Sequence, residues 1–128
     1  MTESQKILVV EDNDFVRMQI VKYLTEAGYD VVEANDGEQA LNVMDDGVHL
    51  AIVDVRMQPI DGFAFVKTLR ARKIEVPVIL VTGDRNPDLL DSAGKYGVAA
   101  VLMKPVDKDR LVKMVERSLR VKSKSKNS

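Results

Sequence analysis

The chain has no cysteine and no tryptophan, and His49 is the single histidine among its 128 residues. The missing thiols exclude disulfide scaffolds, thiol catalysis and cysteine-ligated zinc, and one histidine cannot serve a site that needs two. No apolar run approaches the roughly 20 residues that cross a bilayer. The first residues show no apolar stretch behind a basic start, so no signal peptide is predicted. These absences favour a cytoplasmic protein without a membrane span.

The composition predicts one soluble globular domain, because 45% of the residues are hydrophobic and 30% are charged. The charge is uneven: residues 104–128 carry nine Lys or Arg against three Asp or Glu, whereas residues 1–103 carry ten against seventeen. We interpret the basic end as a solvated helix face and a tail, and we do not expect it to bind nucleic acid directly. The folded domain is predicted at 5–121, and the tail at 122–128, which has no apolar residue, is predicted to be disordered.

Short apolar runs alternate with amphipathic stretches along the chain. The runs typical of buried strands lie at 6–10, 31–32, 49–53, 77–81 and 99–103. The stretches with helical spacing lie at 14–27, 36–47, 63–69, 86–96 and 107–121, and Gly94 interrupts the fourth. Strands that are apolar throughout are typical of a parallel sheet covered on both faces. The sequence therefore predicts a doubly wound, flavodoxin-like α/β fold, a three-layer sandwich around a five-stranded parallel sheet of order 2-1-3-4-5.

Polar residues follow the predicted strands at the edge where such sheets bind ligands. Glu11 and Asp12 follow the first strand, Asp54 follows the third, Thr82 ends the fourth and Lys104 follows the fifth. Because strands 1, 3, 4 and 5 are neighbours in the predicted order, these side chains are expected to meet in one pocket.

The predicted pocket would combine three carboxylates, a hydroxyl and an ammonium group. Clustered carboxylates repel one another unless a cation lies between them, and oxygen ligands with positions left to water suit Mg²⁺. A metal, a lysine and a hydroxyl around one carboxylate can stabilise a transferring phosphoryl group, and the carboxylate itself can be the nucleophile.

Other polar residues receive structural interpretations. Asp14 and Asp36 are predicted to cap the first and second helices, and Asp61-Gly62 is interpreted as a turn. His49, at the start of a strand, is interpreted as structural.

Four segments carry a resemblance to a known family. They are 7–12 (ILVVED), 54–62 (DVRMQPIDG), 81–83 (VTG) and 103–105 (MKP). In order, interval and strand-end position, the chain resembles the receiver domain of bacterial two-component response regulators over residues 5–121. Four motifs in register are far more specific than any one of them.

The resemblance implies a role for each matching residue. Asp54 corresponds to the phosphoacceptor, and Glu11 and Asp12 to the acidic pair that holds Mg²⁺, which Mn²⁺ can replace. The backbone carbonyl of Arg56 is implied as a further ligand. Thr82 corresponds to the hydroxyl that follows the phosphate.

Lys104 corresponds to the lysine that pairs with a phosphate oxygen, and Pro105 to a proline that often follows a cis bond. A member of this family is a signalling switch and not an enzyme, beyond catalysing its own phosphorylation and dephosphorylation. It takes the phosphoryl group from a sensor histidine kinase or a histidine phosphotransfer protein. It then changes its contacts with a downstream protein, here expected at the face formed by helix 4, strand 5 and helix 5.

The sequence departs from the family pattern at several positions. Proline comes one place late, at Pro59, and Gly83 replaces a common alanine. Val101 stands where an aromatic switch residue is frequent, so the readout is expected to pass through the 83–88 segment instead. Arg56 and Asp84 are read either as residues that tune the lifetime of the phosphorylated state or as a weak surface ion pair.

Two other functions remain open from the residues. Asp12-Asn13-Asp14 copies the Asp-x-Asp motif of haloacid-dehalogenase-type phosphatases, which would make Asp12 the nucleophile, although Phe15 stands where Thr or Val is usual. A pseudo-receiver that binds partners without phosphorylation is the other alternative. A flavin site is disfavoured, since the acidic 11–14 segment does not suit the phosphate of the cofactor.

Overall fold

The computed structural model of the protein describes residues 5–45, 47–57, 60–83 and 87–127. The strands are β1 (Lys6–Val10), β2 (Asp30–Ala34), β3 (Val48–Asp54), β4 (Val78–Thr82) and β5 (Ala100–Met103). The helices are α1 (Asp14–Glu26), α2 (Gly37–Val43), α3 (Gly62–Ala71), α4 (Pro87–Lys95) and α5 (Lys108–Asn127). None of the described helices combines the length and hydropathy that a bilayer crossing requires.

The five strands form one parallel sheet of order β2-β1-β3-β4-β5, as predicted. Leu8 of β1 pairs with Val32 on one side and with Ala51 of β3 on the other. Asp54, the last residue of β3, pairs with Val81 of β4. β3 is therefore the central strand of the sheet. Asp54 lies in the middle of the row that the C-terminal ends of the strands form.

The apolar core lies in two layers, because successive strand residues point to opposite faces of a sheet. One layer packs under α2, α3 and α4 and includes Leu8, Val53 and Leu80 with Phe65. The other packs under α1 and α5 and includes Ile7, Val9, Ile52, Ile79 and Leu111. This arrangement confirms the three-layer sandwich.

The cap of the first helix lies one residue earlier than predicted, at Asn13. The side chain of Asn13, not that of Asp14, accepts the hydrogen bond from the backbone N–H of Val16. An N-cap residue lies just before the first helical residue, and Asp14 is already that first helical residue. The predicted cap Asp36 is confirmed, since its carboxylate accepts from the N–H of Gln39 at 2.8 Å.

Three helices differ from the sequence-based expectations: α4, α2 and α5. Helix α4 runs through Gly94 without interruption, and the backbone N–H of Tyr96 still donates to Ser92. Ala93 is buried against the core, and this packing offsets the roughly 1 kcal/mol that a helical glycine costs. The predicted start of this helix at Asn86 lies outside the described residues.

Helix α2 ends at Val43, four residues before its predicted end at Gly47. The Gly47 N–H instead donates to the Asp45 carboxylate at 2.8 Å, in the turn that leads to β3. Helix α5 continues to Asn127, so residues 122–127, predicted to be disordered, are helical. The segment contains no glycine or proline to end the helix, and lysine has a high helix propensity.

Candidate functional site

A pocket of about 510 Å³ opens where the C-terminal ends of β1, β3, β4 and β5 meet. The residues that line it are Glu11, Asp12, Asn13, Asp54, Arg56, Gly83 and Lys104. The predicted convergence of strand ends is therefore confirmed for the carboxylates and the lysine. Thr82 is buried beside the pocket, and the neighbouring Gly83 forms that part of the wall.

Three carboxylates form the acidic side of the pocket. One oxygen from each of Glu11, Asp12 and Asp54 lies within 4.8 Å of the others. Glu11 is 1% exposed and Asp54 is 4% exposed, whereas Asp12 is open to solvent. Two buried carboxylates so close together carry a large electrostatic cost unless a positive charge faces them.

Lys104 supplies that positive charge. Its Nζ lies 3.1 Å from Glu11 Oε1 and 3.5 Å from Asp54 Oδ2. Desolvation of the ammonium acts to lower its pKa, but the close contact with Glu11 and the charges of both carboxylates raise the pKa above its ordinary value. Lys104 is therefore held as a cation beside Glu11 and Asp54.

Glu11 is the more deeply buried carboxylate of the pocket. Burial, together with its contact with Asp54, raises the pKa of Glu11 to about 7. The backbone N–H of Asn13 donates to Oε2 at 3.1 Å and lowers that pKa in part. Among the described residues, Oε1 is a buried oxygen that accepts no well-directed hydrogen bond, although the Lys104 ammonium lies near it. A buried acceptor of this kind can be satisfied by a further cation.

The oxygen donors fit a hard divalent ion. Glu11, Asp12 and Asp54 can each offer one carboxylate oxygen, and the open side of the pocket leaves room for the waters that Mg²⁺ retains. The Glu11 Oε1 without a directed hydrogen bond is the observation that supports this fit. The implied fourth ligand, the carbonyl of Arg56, stays a prediction.

Asp54 is held from two sides by its own loop. The backbone N–H of Arg56 donates to Asp54 Oδ1 at 3.2 Å. Gly62, the first residue of α3, donates its N–H to the Val55 carbonyl at 2.9 Å and lies against the same backbone. A Cβ on Gly62 would lie 2.6 Å from the Asp54 carbonyl oxygen. The interpretation of Asp61-Gly62 as a simple turn therefore missed a packing role.

Thr82 ends β4, the strand that pairs with β3 beside Asp54. It is 1% exposed, and its carbonyl accepts a hydrogen bond of 2.8 Å from the backbone N–H of Lys104. This bond ties the hydroxyl-bearing residue to the lysine-bearing loop. The peptide bond between Lys104 and Pro105 is cis, as the resemblance implies.

Arg17 is a second residue that the sequence analysis missed. Its guanidinium donates to the Glu11 carbonyl at 2.9 Å, to the Asp14 carboxylate at 2.6 Å and to Glu33 at 3.1 Å. It thereby holds the backbone of the acidic loop from the side of α1. The signal available in the sequence was the i,i+3 spacing of Asp14 and Arg17 on a helix, which predicts the pair but not the contact with Glu11.

Among the other sequence interpretations, the structural role of His49 is supported, because its Nδ1 accepts from the backbone N–H of Lys6 at 3.0 Å. Val101 is half-buried and packs against the layer under α4. Pro59 and Asp84 lie outside the described residues.

Comparison with known proteins agrees with this geometry. The profile of the response regulator receiver domain family matches residues 7–116. A doubly wound sheet with an acidic pocket and a lysine at the C-terminal ends of its strands agrees with that match and places the chain in the class of receiver domains. The chain belongs to the receiver domain family of two-component response regulators, and the haloacid-dehalogenase and pseudo-receiver alternatives are not favoured.

Individual relatives show how much of each protein the chain covers. Regulatory protein AtoC of Escherichia coli (strain K12) is 32% identical over 128 residues, which are 98% of this chain and 28% of that protein. Transcriptional regulatory protein PdtaR of Mycobacterium tuberculosis (strain ATCC 25618 / H37Rv) is 31% identical over 116 residues, 88% of this chain and 55% of that protein. The chain thus spans little more than half, or less, of these curated relatives.

A solved structure corresponds to the chain over almost its whole length. A response regulator receiver protein from Pseudomonas putida is 32% identical and superposes with a TM-score of 0.83, covering 91% of this chain and 99% of that one.

Proposed function

We propose that this receiver domain accepts a phosphoryl group on Asp54 from a histidine kinase or a histidine phosphotransfer protein and thereby switches its protein contacts. The observation that carries the proposal is the position of Asp54. It ends a strand flanked on both sides, 3.5 Å from the Lys104 ammonium and beside the Glu11 and Asp12 carboxylates.

The transfer balances as a nucleophilic displacement. An Asp54 carboxylate oxygen forms a bond to phosphorus, and the bond between phosphorus and the donor's imidazole nitrogen breaks. The imidazole leaves with the electron pair and takes up a proton from solvent. When water later attacks phosphorus, the bond to Asp54 breaks and inorganic phosphate and the carboxylate are released.

The chain's own residues stabilise the charge in both steps. Lys104 pairs with a phosphoryl oxygen, and the Thr82 hydroxyl donates a hydrogen bond to another. Glu11, Asp12, Asp54 and the Arg56 carbonyl would hold Mg²⁺ or Mn²⁺, which supplies further charge neutralisation when bound. The domain catalyses its own phosphorylation and dephosphorylation and no other reaction.

The acceptor is tested by mapping the covalent phosphate. We expect Asp54→Asn to abolish uptake from acetyl phosphate while the fold survives, because the amide has the same shape but is not a nucleophile. Asp12→Asn, labelled at a Mg²⁺ concentration that saturates the weakened site because Asp12 is also a proposed metal ligand, is the matched control: label that is retained there but lost in the Asp54 variant assigns the acceptor. Undiminished uptake by Asp54→Asn, or label mapped to Asp12, would refute the proposal.

A phosphodonor surface is proposed on α1, next to the pocket. Phe15 is 88% exposed and Met18 is 66% exposed, and they lie three residues apart on one helix face immediately after the acidic loop. Two adjacent exposed apolar side chains can form the centre of a contact surface. Phe15→Ala and Met18→Ala should slow transfer from any phosphorylated kinase that labels the wild type but leave labelling by acetyl phosphate unchanged. Leu90→Ala, at a 61% exposed site on α4, is the matched control.

The remaining assignments follow from membership of the family. We place the protein in the cytoplasm, where the kinase modules that phosphorylate receivers lie, with the folded domain at 5–121 and 122–128 as an extension that has no apolar residue to bury. The downstream partner is proposed to contact the face formed by α4, β5 and α5, and direct binding to nucleic acid is not proposed.

A further inference from the structure

The acidic loop, residues 11–13 between β1 and α1, carries two of the three pocket carboxylates, and hydrogen bonds fix its backbone. The Glu11 N–H donates to the carbonyl of Ala34, the last residue of β2, at 3.1 Å. The Asn13 N–H donates to the Glu11 carboxylate, also at 3.1 Å. The Glu11 carbonyl takes its donor from outside the loop, because the Arg17 guanidinium donates to it at 2.9 Å.

Arg17 can hold this carbonyl because its own guanidinium is held in turn. The Arg17 side chain is 13% exposed, and it donates to Asp14 at 2.6 Å and to Glu33 at 3.1 Å. A planar guanidinium with three acceptors in different directions has little freedom to turn. Since Glu33 belongs to β2, Arg17 joins α1, the acidic loop and the outer strand β2 at one point.

The backbone of the acidic loop decides where two possible metal ligands lie. Glu11 and Asp12 are consecutive, and with Asp54 they bring three carboxylate oxygens within 4.8 Å of one another. Mg²⁺ demands near-ideal octahedral geometry at about 2.0–2.1 Å, so a small shift of this backbone would misplace two ligands at once. Replacing a residue that orients metal ligands from behind typically costs about 10–100-fold in metal affinity.

We infer that Arg17 is a positioning residue that sets the affinity of the pocket for a divalent cation by fixing the backbone of the acidic loop. Glu33 assists by holding the guanidinium in place. The inference rests on the proposed function, because it takes the three carboxylates to hold Mg²⁺ or Mn²⁺. It adds a determinant behind the pocket, since neither Arg17 nor Glu33 belongs to the residues that line it.

The sign of the effect separates positioning from simple electrostatics. Arg17 carries a positive charge near a site for a cation, so removal of the charge alone would strengthen cation binding. Loss of the contact with the Glu11 carbonyl would weaken it. We expect Arg17→Gln to weaken Mg²⁺ binding by about tenfold, against the electrostatic effect. Arg17→Lys should weaken it less, because the ammonium can still reach one acceptor but cannot span three.

The experiment measures the metal and the loop separately in the full chain. Mg²⁺ is titrated under amide NMR, and labelling by acetyl phosphate is followed over the same Mg²⁺ range. Arg17→Gln should need about tenfold more Mg²⁺ for half-maximal labelling. It should approach the wild-type rate at saturating Mg²⁺, because the substitution leaves Asp54 and Lys104 in place. With a chelator present, the amides of residues 11–13 should exchange faster in this variant than in the wild type.

Arg70→Gln is the matched control for a general loss of stability. The Arg70 guanidinium also donates to backbone carbonyls, those of Ile74 and Val76, at 2.8 and 3.1 Å. These carbonyls precede β4 and so lie at the N-terminal ends of the strands, away from the pocket. Arg70→Gln should lose stability in urea unfolding, as Arg17→Gln does, yet bind Mg²⁺ like the wild type.

A second pair of variants tests the contribution of Glu33 and does not depend on the folding of Arg17→Gln. Glu33→Ala should weaken Mg²⁺ binding more than Glu38→Ala, which removes the same charge at an exposed site on α2. Equal effects would show that Glu33 acts through its charge alone and would overturn its assignment. Circular dichroism checks that every variant is folded.

The assignment of Arg17 is overturned by any of three results. One is unchanged or tighter Mg²⁺ binding by folded Arg17→Gln. Another is equal weakening by Arg70→Gln, which would indicate general destabilisation. The third is unchanged amide exchange at residues 11–13. A wild type that binds no divalent cation would refute the proposed metal site and this inference with it, whereas a normal wild type with an unaffected Arg17→Gln would refute this inference alone.

Discussion

Replacement of Gly62 by alanine is the sharpest structural test of the pocket. The added Cβ would lie 2.6 Å from the Asp54 carbonyl oxygen and 2.9 Å from the Val55 Cα, both backbone atoms. Ordinary contact begins at 3.4 Å, so the oxygen must retreat by 3.4 − 2.6 = 0.8 Å. A displacement near 1 Å at a reacting group can cost on the order of 100-fold in rate.

The expected change in stability follows from two opposing effects. Alanine in the first turn of α3 gains up to about 1 kcal/mol of helix propensity. Overpacking against a backbone that cannot yield costs about 1–3 kcal/mol. We therefore expect a net loss of about 1–2 kcal/mol in the free energy of unfolding, with slower labelling of Asp54 by acetyl phosphate.

Gly83→Ala is the matched control, because a Cβ on Gly83 meets nothing within 4 Å although this residue also lines the pocket. We expect it to leave stability unchanged or slightly raised. The two variants are compared by urea unfolding and by the initial rate of labelling. Equal behaviour of the two variants, or normal stability and labelling in Gly62→Ala, would show that the close contact does not position Asp54.

Further predictions concern the residues around the pocket. The folded-state pKa of Glu11, about 7, lies above its ordinary value of 4.5, so the folded state binds more protons between these values and metal-free stability should fall as pH rises through this window. In urea unfolding with a chelator present, Glu11→Gln should no longer lose stability as pH rises. The same dependence of stability on pH in Glu11→Gln and the wild type would refute this prediction. Asp12→Ala should lower the affinity for Mg²⁺ in a titration, yet alter metal-free stability little because Asp12 is exposed. Arg17→Gln should lower the free energy of unfolding by about 1–2 kcal/mol in the same assay, because the Glu11 carbonyl loses its hydrogen-bond donor. Arg17→Lys should lose less stability than Arg17→Gln but not reach the wild type, since an ammonium cannot span the same three acceptors. Phosphorylation should shift amide resonances chiefly at residues 82–97, and Val101→Tyr should change that pattern. If the largest shifts outside the pocket lay on α1, the conformational change would not pass through the segment after β4.

The fold could be predicted because its signals are local. Apolar runs of strand length alternate with helical spacing, and parallel pairing then leaves few possible arrangements of the sheet. The same reasoning placed Glu11, Asp54 and Lys104 at strand ends, and the sheet order brought them together.

The features that sequence reasoning missed depend on tertiary distance. The raised pKa of Glu11 results from burial by distant elements, and the contact of Gly62 with Asp54 depends on how α3 docks against the end of β3. Arg17 contacts Glu11 because α1 folds back over the acidic loop. The continuation of α5 beyond Val121 was missed for a different reason, since a segment without apolar periodicity gives no signal for where a helix ends.

The pairing of Glu11 with Lys104 has a consequence for the order in which the chain becomes competent during synthesis. Glu11 directly follows the first strand and Lys104 directly follows the last one. Even so, Lys104 Nζ lies 3.1 Å from Glu11 Oε1. Until β5 emerges from the ribosome, Glu11 and Asp54 have no ammonium beside them, and two closely placed carboxylates oppose compaction of that edge. A nascent or truncated chain that lacks β5 therefore has the proposed acceptor Asp54 but not the charge balance around it, and we expect phosphate uptake to require the completed sheet.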